Sequence, residues 1–131
     1  MLSDDLQAFF DSYREAFDRL DADAVARHYH VPSMLIDGDT CVIWTTEEEV
    51  RSNMRALTAY YRSDGFDHAT FETRAVVQLR RDSVFVDISW AIDRTGDLAT
   101  RQFGTAYNLE RNEQGWRIIV CTAYEERASR G

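Results

Sequence analysis

The last third of the chain, residues 100–124, restricts the fold most, because it has the pattern of two long β-strands joined by a tight turn. In the first strand, TRQFGTAYNLER, every second residue forms one face: Phe103, Thr105, Tyr107 and Leu109. In the second strand, WRIIVCTAY, the same period forms a face of Trp116, Ile118, Val120, Thr122 and Tyr124. Strands this long and aromatic need helices against one face and further strands at their edges.

The start of the chain predicts two helices. Ser3 suits the N-cap position, and Asp4 and Asp5 suit the positive first turn of a helix. Apolar residues then recur at helical spacing: Leu6, Phe9, Phe10, Tyr13, Phe17 and Leu20. Asp21 predicts the cap of a second helix, which Pro32 ends. Its inward face would hold Ala22, Val25, Ala26 and Tyr29.

The middle of the chain predicts a short hairpin and a third helix. Residues 34–36 lead into Asp37-Gly38, a two-residue turn signal, and residues 41–44 return as the second strand. Thr46 and Glu49 form a capping box before a helix that Gly65 ends. The buried stripe of this helix would hold Val50, Met54, Leu57 and Tyr61.

From His68 onward the apolar period changes to two, which predicts two more strands before the final hairpin. One face of the first strand would hold Phe71, Thr73, Ala75, Val77 and Leu79. One face of the second would hold Val84, Val86, Ile88, Trp90 and Ile92. The order helix, helix, hairpin, helix and four meandering strands predicts one α+β domain over residues 1–131.

The overall charge argues against nucleic acid and anionic membranes as partners. The net charge is −8 and the pI is about 4.8, whereas those surfaces are bound through clustered positive charge. All cations are arginine, as expected of a GC-rich bacterial genome. The chain has two cysteines, and its N-terminus has no basic region followed by an apolar run. These features predict a reduced cytoplasmic protein.

Four segments in order carry a resemblance to a known superfamily. They are the aromatic first helix continuing into LDADAVARHY, the hairpin SMLIDGDTCVIW, the helix start TTEEEV and the ending GWRIIVCTAY. Together they resemble the nuclear-transport-factor-2-like (NTF2-like) and SnoaL-like domains over nearly the whole chain. The resemblance implies three helices packed in the concave face of a strongly curved antiparallel sheet, with a pocket between them. That superfamily includes ketosteroid isomerases, cyclases, dehydratases, epoxide hydrolases and noncatalytic association domains.

The resemblance to ketosteroid isomerase implies three candidate catalytic residues. In that enzyme a helix tyrosine and a late-strand acid hydrogen-bond the substrate oxygen, while a carboxylate near the first short strand moves the proton. The matching positions are Tyr13, Tyr107 and Asp37, with Tyr107 standing where the isomerase has an acid. Asp37 would be the base if the pocket desolvates it, but Asp before Gly also commonly stabilises a turn. A role for Tyr13 in packing alone is the alternative.

The inward faces also predict a ligand pocket suited to a small hydrophobic, oxygen-bearing molecule. Its lining would be Phe10, Phe17, Tyr29, Met54, Tyr61, Trp90, Phe103, Val120 and Tyr124. The same side chains would also suit a filled core. We expect no cofactor, because the chain has no glycine-rich phosphate loop. We expect no metal, because His28 and His30 would point about 200° apart on a helix.

The opposite face of the sheet predicts an interface. By the strand period, small apolar residues fall there: Phe85, Ala91, Gly104, Ala106, Ile119, Cys121 and Ala123. A contiguous exposed apolar patch usually marks an interface, so we expect a homodimer through the outer sheet face.

The sequence supports two hypotheses about function. The first is a cofactor-independent proton-transfer enzyme, such as an isomerase, cyclase or dehydratase. The alternative is a noncatalytic ligand carrier or a dimeric association domain that acts as a scaffold.

Overall fold

The computed structural model describes residues 2–125, which contain three helices and six strands. The helices are α1 (Asp4–Asp18), α2 (Ala22–Ala26) and α3 (Glu47–Ser63). The strands are β1 (Tyr29–Asp37), β2 (Thr40–Trp44), β3 (Phe66–Arg80), β4 (Ser83–Arg94), β5 (Arg101–Asn112) and β6 (Gly115–Tyr124).

The two long helices begin as the sequence predicts. The Ser3 hydroxyl accepts a hydrogen bond from the Leu6 N–H at 3.3 Å and caps α1. In α3, the Thr46 hydroxyl accepts from the Glu49 N–H at 3.1 Å, and the Glu49 carboxylate accepts from the Thr46 N–H at 3.1 Å. This reciprocal capping satisfies N–H groups that a helix start leaves unpaired. Gly65, at φ +85°, follows the end of α3.

The strands form one sheet in the order β2-β1-β6-β5-β4-β3. The last four strands are the predicted antiparallel meander, and the only parallel pair among the described strands is β1 with β6. The sheet is curved and open, and it packs its concave face against the helices. The predicted fold class, α+β with three helices in the concave face of a curved, mainly antiparallel sheet, is confirmed.

The second helix is shorter than predicted. It ends at Ala26, although the apolar pattern and Pro32 allow a helix as far as residue 31. Tyr29 instead begins β1 and pairs with Ile118, whose N–H donates to the His28 carbonyl at 2.9 Å. Pairing with β6 therefore prevails over the local helical pattern, and Tyr29 is still buried.

The predicted face of β6 is wrong beyond Ile118. Leu109 pairs with Ile118 but Asn108 pairs with Val120, so an irregularity at Ile119 shifts the alternation by one residue. The shift turns three residues of the predicted inner face outward: Val120, Thr122 and Tyr124. It turns two residues inward: Cys121 and Ala123. A comparable shift in β3, between Thr73 and Ala75, places Ala75 and Val77 opposite outward-facing residues of β4.

The outer sheet face consequently differs from the predicted one. Cys121 and Ala123 line the interior, whereas Phe85, Ala91, Gly104 and Ala106 stay outside. The Tyr124 ring crosses Gly104 on this face, where a Cβ atom on Gly104 would meet the ring at 2.1 Å. The Tyr124 hydroxyl donates to Asp87 at 2.5 Å. The homodimer through this face stays a prediction.

The core lies between the aromatic stripe of α1 and the concave face of the sheet. Side chains that are fully buried there include Phe10, Met54, Ile88, Leu109 and Ile118. Within residues 2–125, no helix combines the length and apolar character needed to cross a membrane. The cytoplasmic location stays a prediction.

Candidate functional site

A cavity of about 760 Å³ lies between the helices and the concave face of the sheet. Seven of the predicted pocket residues border it, among them Tyr124 even though its ring lies on the outer sheet face: Phe17, Tyr29, Met54, Tyr61, Trp90, Phe103 and Tyr124. Two do not: Phe10 and Val120. Phe10 is fully buried beneath the cavity, and Val120 is turned outward by the shift in β6. The ligand pocket itself stays a prediction.

The three candidate catalytic residues line this same cavity. Tyr13 comes from α1 and Tyr107 from β5, and both are buried. Asp37 is exposed at the end of β1, where it pairs with Thr40 of β2 and Ala123 of β6. The two turn residues are thus Gly38 and Asp39, and Asp37 closes the strand. The catalytic roles of these residues stay predictions.

The deep end of the cavity, which we call the floor, consists of Tyr13, Tyr29, Trp90, Tyr107 and Cys121. The hydroxyls of Tyr13 and Tyr29 are 2.7 Å apart, and Tyr29 also hydrogen-bonds the Cys121 thiol. The Trp90 indole N–H donates to the Tyr107 hydroxyl oxygen at 3.0 Å. Alternation along β4 and β5 places Trp90 and Tyr107 inward, and the helical stripe of α1 places Tyr13 opposite them.

Burial keeps every titratable group of the floor neutral. It raises the pKa of Tyr13, Tyr29 and Tyr107 well above the usual value for a phenol. It also raises the pKa of the Cys121 thiol to about 12. Neutral phenols donate hydrogen bonds and do not act as bases near neutral pH, and a thiol with this pKa is a poor nucleophile.

Tyr107 is the floor tyrosine whose hydroxyl is not paired with another phenol. Its oxygen accepts a hydrogen bond from the Trp90 indole N–H, and the Thr105 side chain, which also lines the cavity, is a second hydrogen-bond partner of this hydroxyl. Tyr13 and Tyr29, by contrast, share a hydrogen bond, and Tyr29 is also bonded to Cys121. Trp90 and Thr105 therefore hold the Tyr107 hydroxyl at the cavity, while Tyr13 and Tyr29 bond to each other.

The charged residues that border the cavity, which we call the rim, are Asp37, Arg101 and Glu125. All three are exposed. The Arg101 Nε lies 2.8 Å from Asp64 Oδ2 at the end of α3. Sequence reasoning missed Arg101, although the two-residue period of Phe103, Thr105 and Tyr107 extends back to it.

The histidines do not converge on a metal. His28 Nε2 lies 2.9 Å from the Ser12 hydroxyl, and His30 Nδ1 lies 2.9 Å from the Pro32 carbonyl. Burial lowers the pKa of His28. In the part of the chain that the structure describes, no group of three or more His, Cys, Asp or Glu side chains is placed to hold a metal ion.

Three helices against a curved sheet, with an aromatic cavity between them, define an NTF2-like domain of cystatin-like architecture. Residues 4–126 match a family model described as NTF2-like protein (DUF6841), and the chain belongs to that family. The superfamily resemblance noted in the sequence is thereby confirmed. No curated protein matches the sequence.

Solved structures share this fold at low sequence identity. An NTF2-like protein of unknown function from Shewanella oneidensis has a TM-score of 0.75 and 20% identity, covering 94% of this chain and 98% of its own. A ketosteroid isomerase-like protein from Erwinia carotovora atroseptica has a TM-score of 0.71 and 18% identity, covering 95% of each chain. A domain of unknown function with a cystatin-like fold from Nostoc punctiforme has a TM-score of 0.76 and 13% identity. The match covers 98% of this chain and 81% of the Nostoc chain. These similarities establish the fold and not an activity.

Proposed function

We propose that the cavity binds a small hydrophobic molecule that carries an oxygen acceptor, and that this oxygen accepts a hydrogen bond from Tyr107. The observation that carries the proposal is the Tyr107 hydroxyl, which is buried in an aromatic cavity and is held there by hydrogen bonds with Trp90 and Thr105. A polar group held in a fixed position in an apolar cavity favours a hydrophobic ligand whose oxygen hydrogen-bonds that group.

We further propose that the bound molecule is a ketone on which the protein catalyses proton transfer. Asp37 would take a proton from the carbon next to the carbonyl, and the electrons of the broken C–H bond would form the enolate. Tyr107 would stabilise the enolate oxygen, and Asp37 would return the proton to a carbon of the same molecule. The cavity brings these residues to one space, and a ketosteroid isomerase-like protein is among the structural neighbours.

Ligand binding is tested with 2-acetylnaphthalene and 2-ethylnaphthalene, which have similar shapes but differ in the carbonyl oxygen. We expect the ketone to bind more tightly, and Tyr107→Phe to weaken its binding about tenfold, the value of one buried hydrogen bond. The ethyl compound should bind both proteins equally. Tyr60→Phe is the control, because Tyr60 borders the same cavity but is 51% exposed. Failure of both compounds to bind would refute the proposal.

Catalysis is tested by following deuterium exchange at the acetyl carbon of the bound ketone. Asp37→Asn should abolish protein-catalysed exchange and leave ketone affinity nearly unchanged, because it removes the base and keeps the side-chain shape. Asp39→Asn is a suitable control, since Asp39 is the neighbouring turn residue and does not line the cavity.

A noncatalytic ligand carrier is the second candidate function. The exposure of Asp37 at the rim favours it, because an effective carboxylate base is normally shielded from water. A carrier would bind the ketone with the same dependence on Tyr107 and would catalyse no exchange above that of the solvent. The two experiments together therefore separate a carrier from an enzyme, and from a scaffold that binds neither compound.

A further inference from the structure

The rim of the cavity carries charges of both signs. Asp37 ends β1 and pairs with Ala123 of β6, and Glu125 directly follows the end of β6. Arg101 begins β5 and pairs with Ile92 of β4. In the sheet, β6 separates Asp37 on β1 from Arg101 on β5, whereas Glu125 follows β6, which pairs directly with β5. Among the described lining residues, Arg101 is the only cation.

Arg101 belongs to a cluster with a net positive charge. Its Nε lies 2.8 Å from Asp64 Oδ2, and its Nη2 lies 3.3 Å from Asp64 Oδ1. The same carboxylate is 3.4 Å from Nη1 of Arg94, whose side chain is only 12% exposed. Two guanidinium groups thus share one carboxylate, so the Arg94–Arg101–Asp64 cluster by itself carries about one positive charge.

The outer end of the Arg101 guanidinium is available to a ligand. Nε and Nη2 of Arg101 both contact the Asp64 carboxylate. Within residues 2–125, Nη1 of Arg101 has no protein partner. The Arg101 guanidinium also interacts with Tyr61. Burial raises the pKa of Tyr61 to about 12, and the positive charge of Arg101 opposes that rise. The contact with Asp64 fixes the orientation of the side chain, which reduces the entropy lost when a ligand binds.

We propose that Arg101 binds a carboxylate on the ligand, whose hydrophobic body fills the cavity and whose carbonyl oxygen reaches Tyr107. The inference rests on the proposed ligand site and names its substrate class as hydrophobic keto acids. A guanidinium presents paired N–H donors that match a carboxylate. The protein as a whole carries a charge of −8 and repels anions, so preference for an acid requires this local positive cluster.

The test compares 6-acetyl-2-naphthoic acid with its primary amide at neutral pH and moderate ionic strength. The two probes share their ring and ketone and differ in the charge of one group. We expect the unmodified protein to bind the acid about tenfold more tightly than the amide, because the acid forms a charged hydrogen-bonded pair that is partly exposed. Arg101→Gln should remove this preference and leave the affinity for the amide unchanged.

Two further variants test the role of the cluster. Arg81→Gln makes the same change in net charge on an exposed turn that does not line the cavity, so it should retain the full preference. Arg94→Gln should reduce the preference only in part, because it lowers the charge of the cluster but leaves Arg101 bound to Asp64.

The outcomes distinguish this inference from the proposed function. If the acid and the amide bind equally, or if Arg101→Gln keeps the preference, the carboxylate assignment is overturned while the ketone site stands. If 2-acetylnaphthalene and both naphthoyl probes fail to bind, the proposed function fails, and this inference fails with it.

Discussion

The floor and the rim of the cavity are held together by different interactions. In the floor, buried hydroxyl, thiol and indole groups bond to one another, as in the Tyr13–Tyr29 and Trp90–Tyr107 pairs. At the rim, exposed charges are set by surface ion pairs such as Arg101 with Asp64. A buried polar group that loses its partner is costly, whereas an exposed ion pair contributes little to stability. Evolution can therefore change ligand selectivity at the rim more readily than at the floor.

The largest effect should come from the layer beneath the floor. Phe10 is completely buried, and its ring centroid lies 5.3 Å from that of Tyr107 and 6.2 Å from that of Phe71. We expect Phe10→Ala to lower the free energy of unfolding by about 3–5 kcal/mol, because it leaves a cavity under the floor. Urea denaturation measures the loss. Tyr60→Ala is the exposed control, and a loss for Phe10→Ala no larger than the control's would contradict this packing.

A smaller difference should separate one floor hydroxyl from one rim charge. Tyr29→Phe removes the hydroxyl that bonds Tyr13, so we expect a loss of about 1–2 kcal/mol in the free energy of unfolding. Arg101→Gln should cost less than about 1 kcal/mol, because its pair with Asp64 is half exposed to water. Parallel urea denaturation of both variants makes the comparison. A larger loss in the free energy of unfolding for Arg101→Gln than for Tyr29→Phe would contradict the distinction between floor and rim.

The smallest effect should be a pH dependence at an exposed ion pair away from the rim. His68 lies 2.9 Å from both Asp67 and Asp93, and the hydrogen bond to Asp67 is the main cause that raises the pKa of His68 above 6.5. The folded state therefore holds the proton more tightly. The contacts of protonated His68 with the two aspartates therefore stabilise the fold fully at pH values below the pKa of His68 in the unfolded chain. This stabilisation is lost as the pH rises through the pKa of His68 in the folded protein.

We accordingly expect His68→Gln to be slightly less stable than the unmodified protein at pH 5.5 and equally stable at pH 9. Thermal unfolding at both pH values provides the measurement. His30→Gln serves as the control, because His30 bonds a backbone carbonyl and has no carboxylate partner among the described residues. A stability difference that grows with pH would show that the sign of this coupling is wrong.

The parts of the fold that depend on local pattern could be predicted from the sequence. Caps at Ser3 and Thr46 determine where α1 and α3 begin, and regular alternation determines the inner faces of β4 and β5. These elements position Tyr13 and Tyr107 on one cavity. The periodicity of single segments was sufficient because each of these elements is regular.

The remaining features depend on contacts between distant segments. The shift at Ile119 exists only in relation to β5 and β1, so regular alternation assigned Val120 to the wrong face. The pairing of Tyr29 with Ile118 likewise converts an apparent helix into the start of β1. Asp64 joins Arg94 and Arg101 across the end of α3 and two strands, and no local pattern indicates that the three meet.

The most direct test of the central claim is a crystal structure of the protein with 2-acetylnaphthalene. The account predicts the ring inside the aromatic cavity and the carbonyl oxygen within about 2.7–3.0 Å of the Tyr107 hydroxyl. A ligand bound outside the cavity, or one inside it with the carbonyl directed to solvent, would contradict the assignment of Tyr107 as the donor.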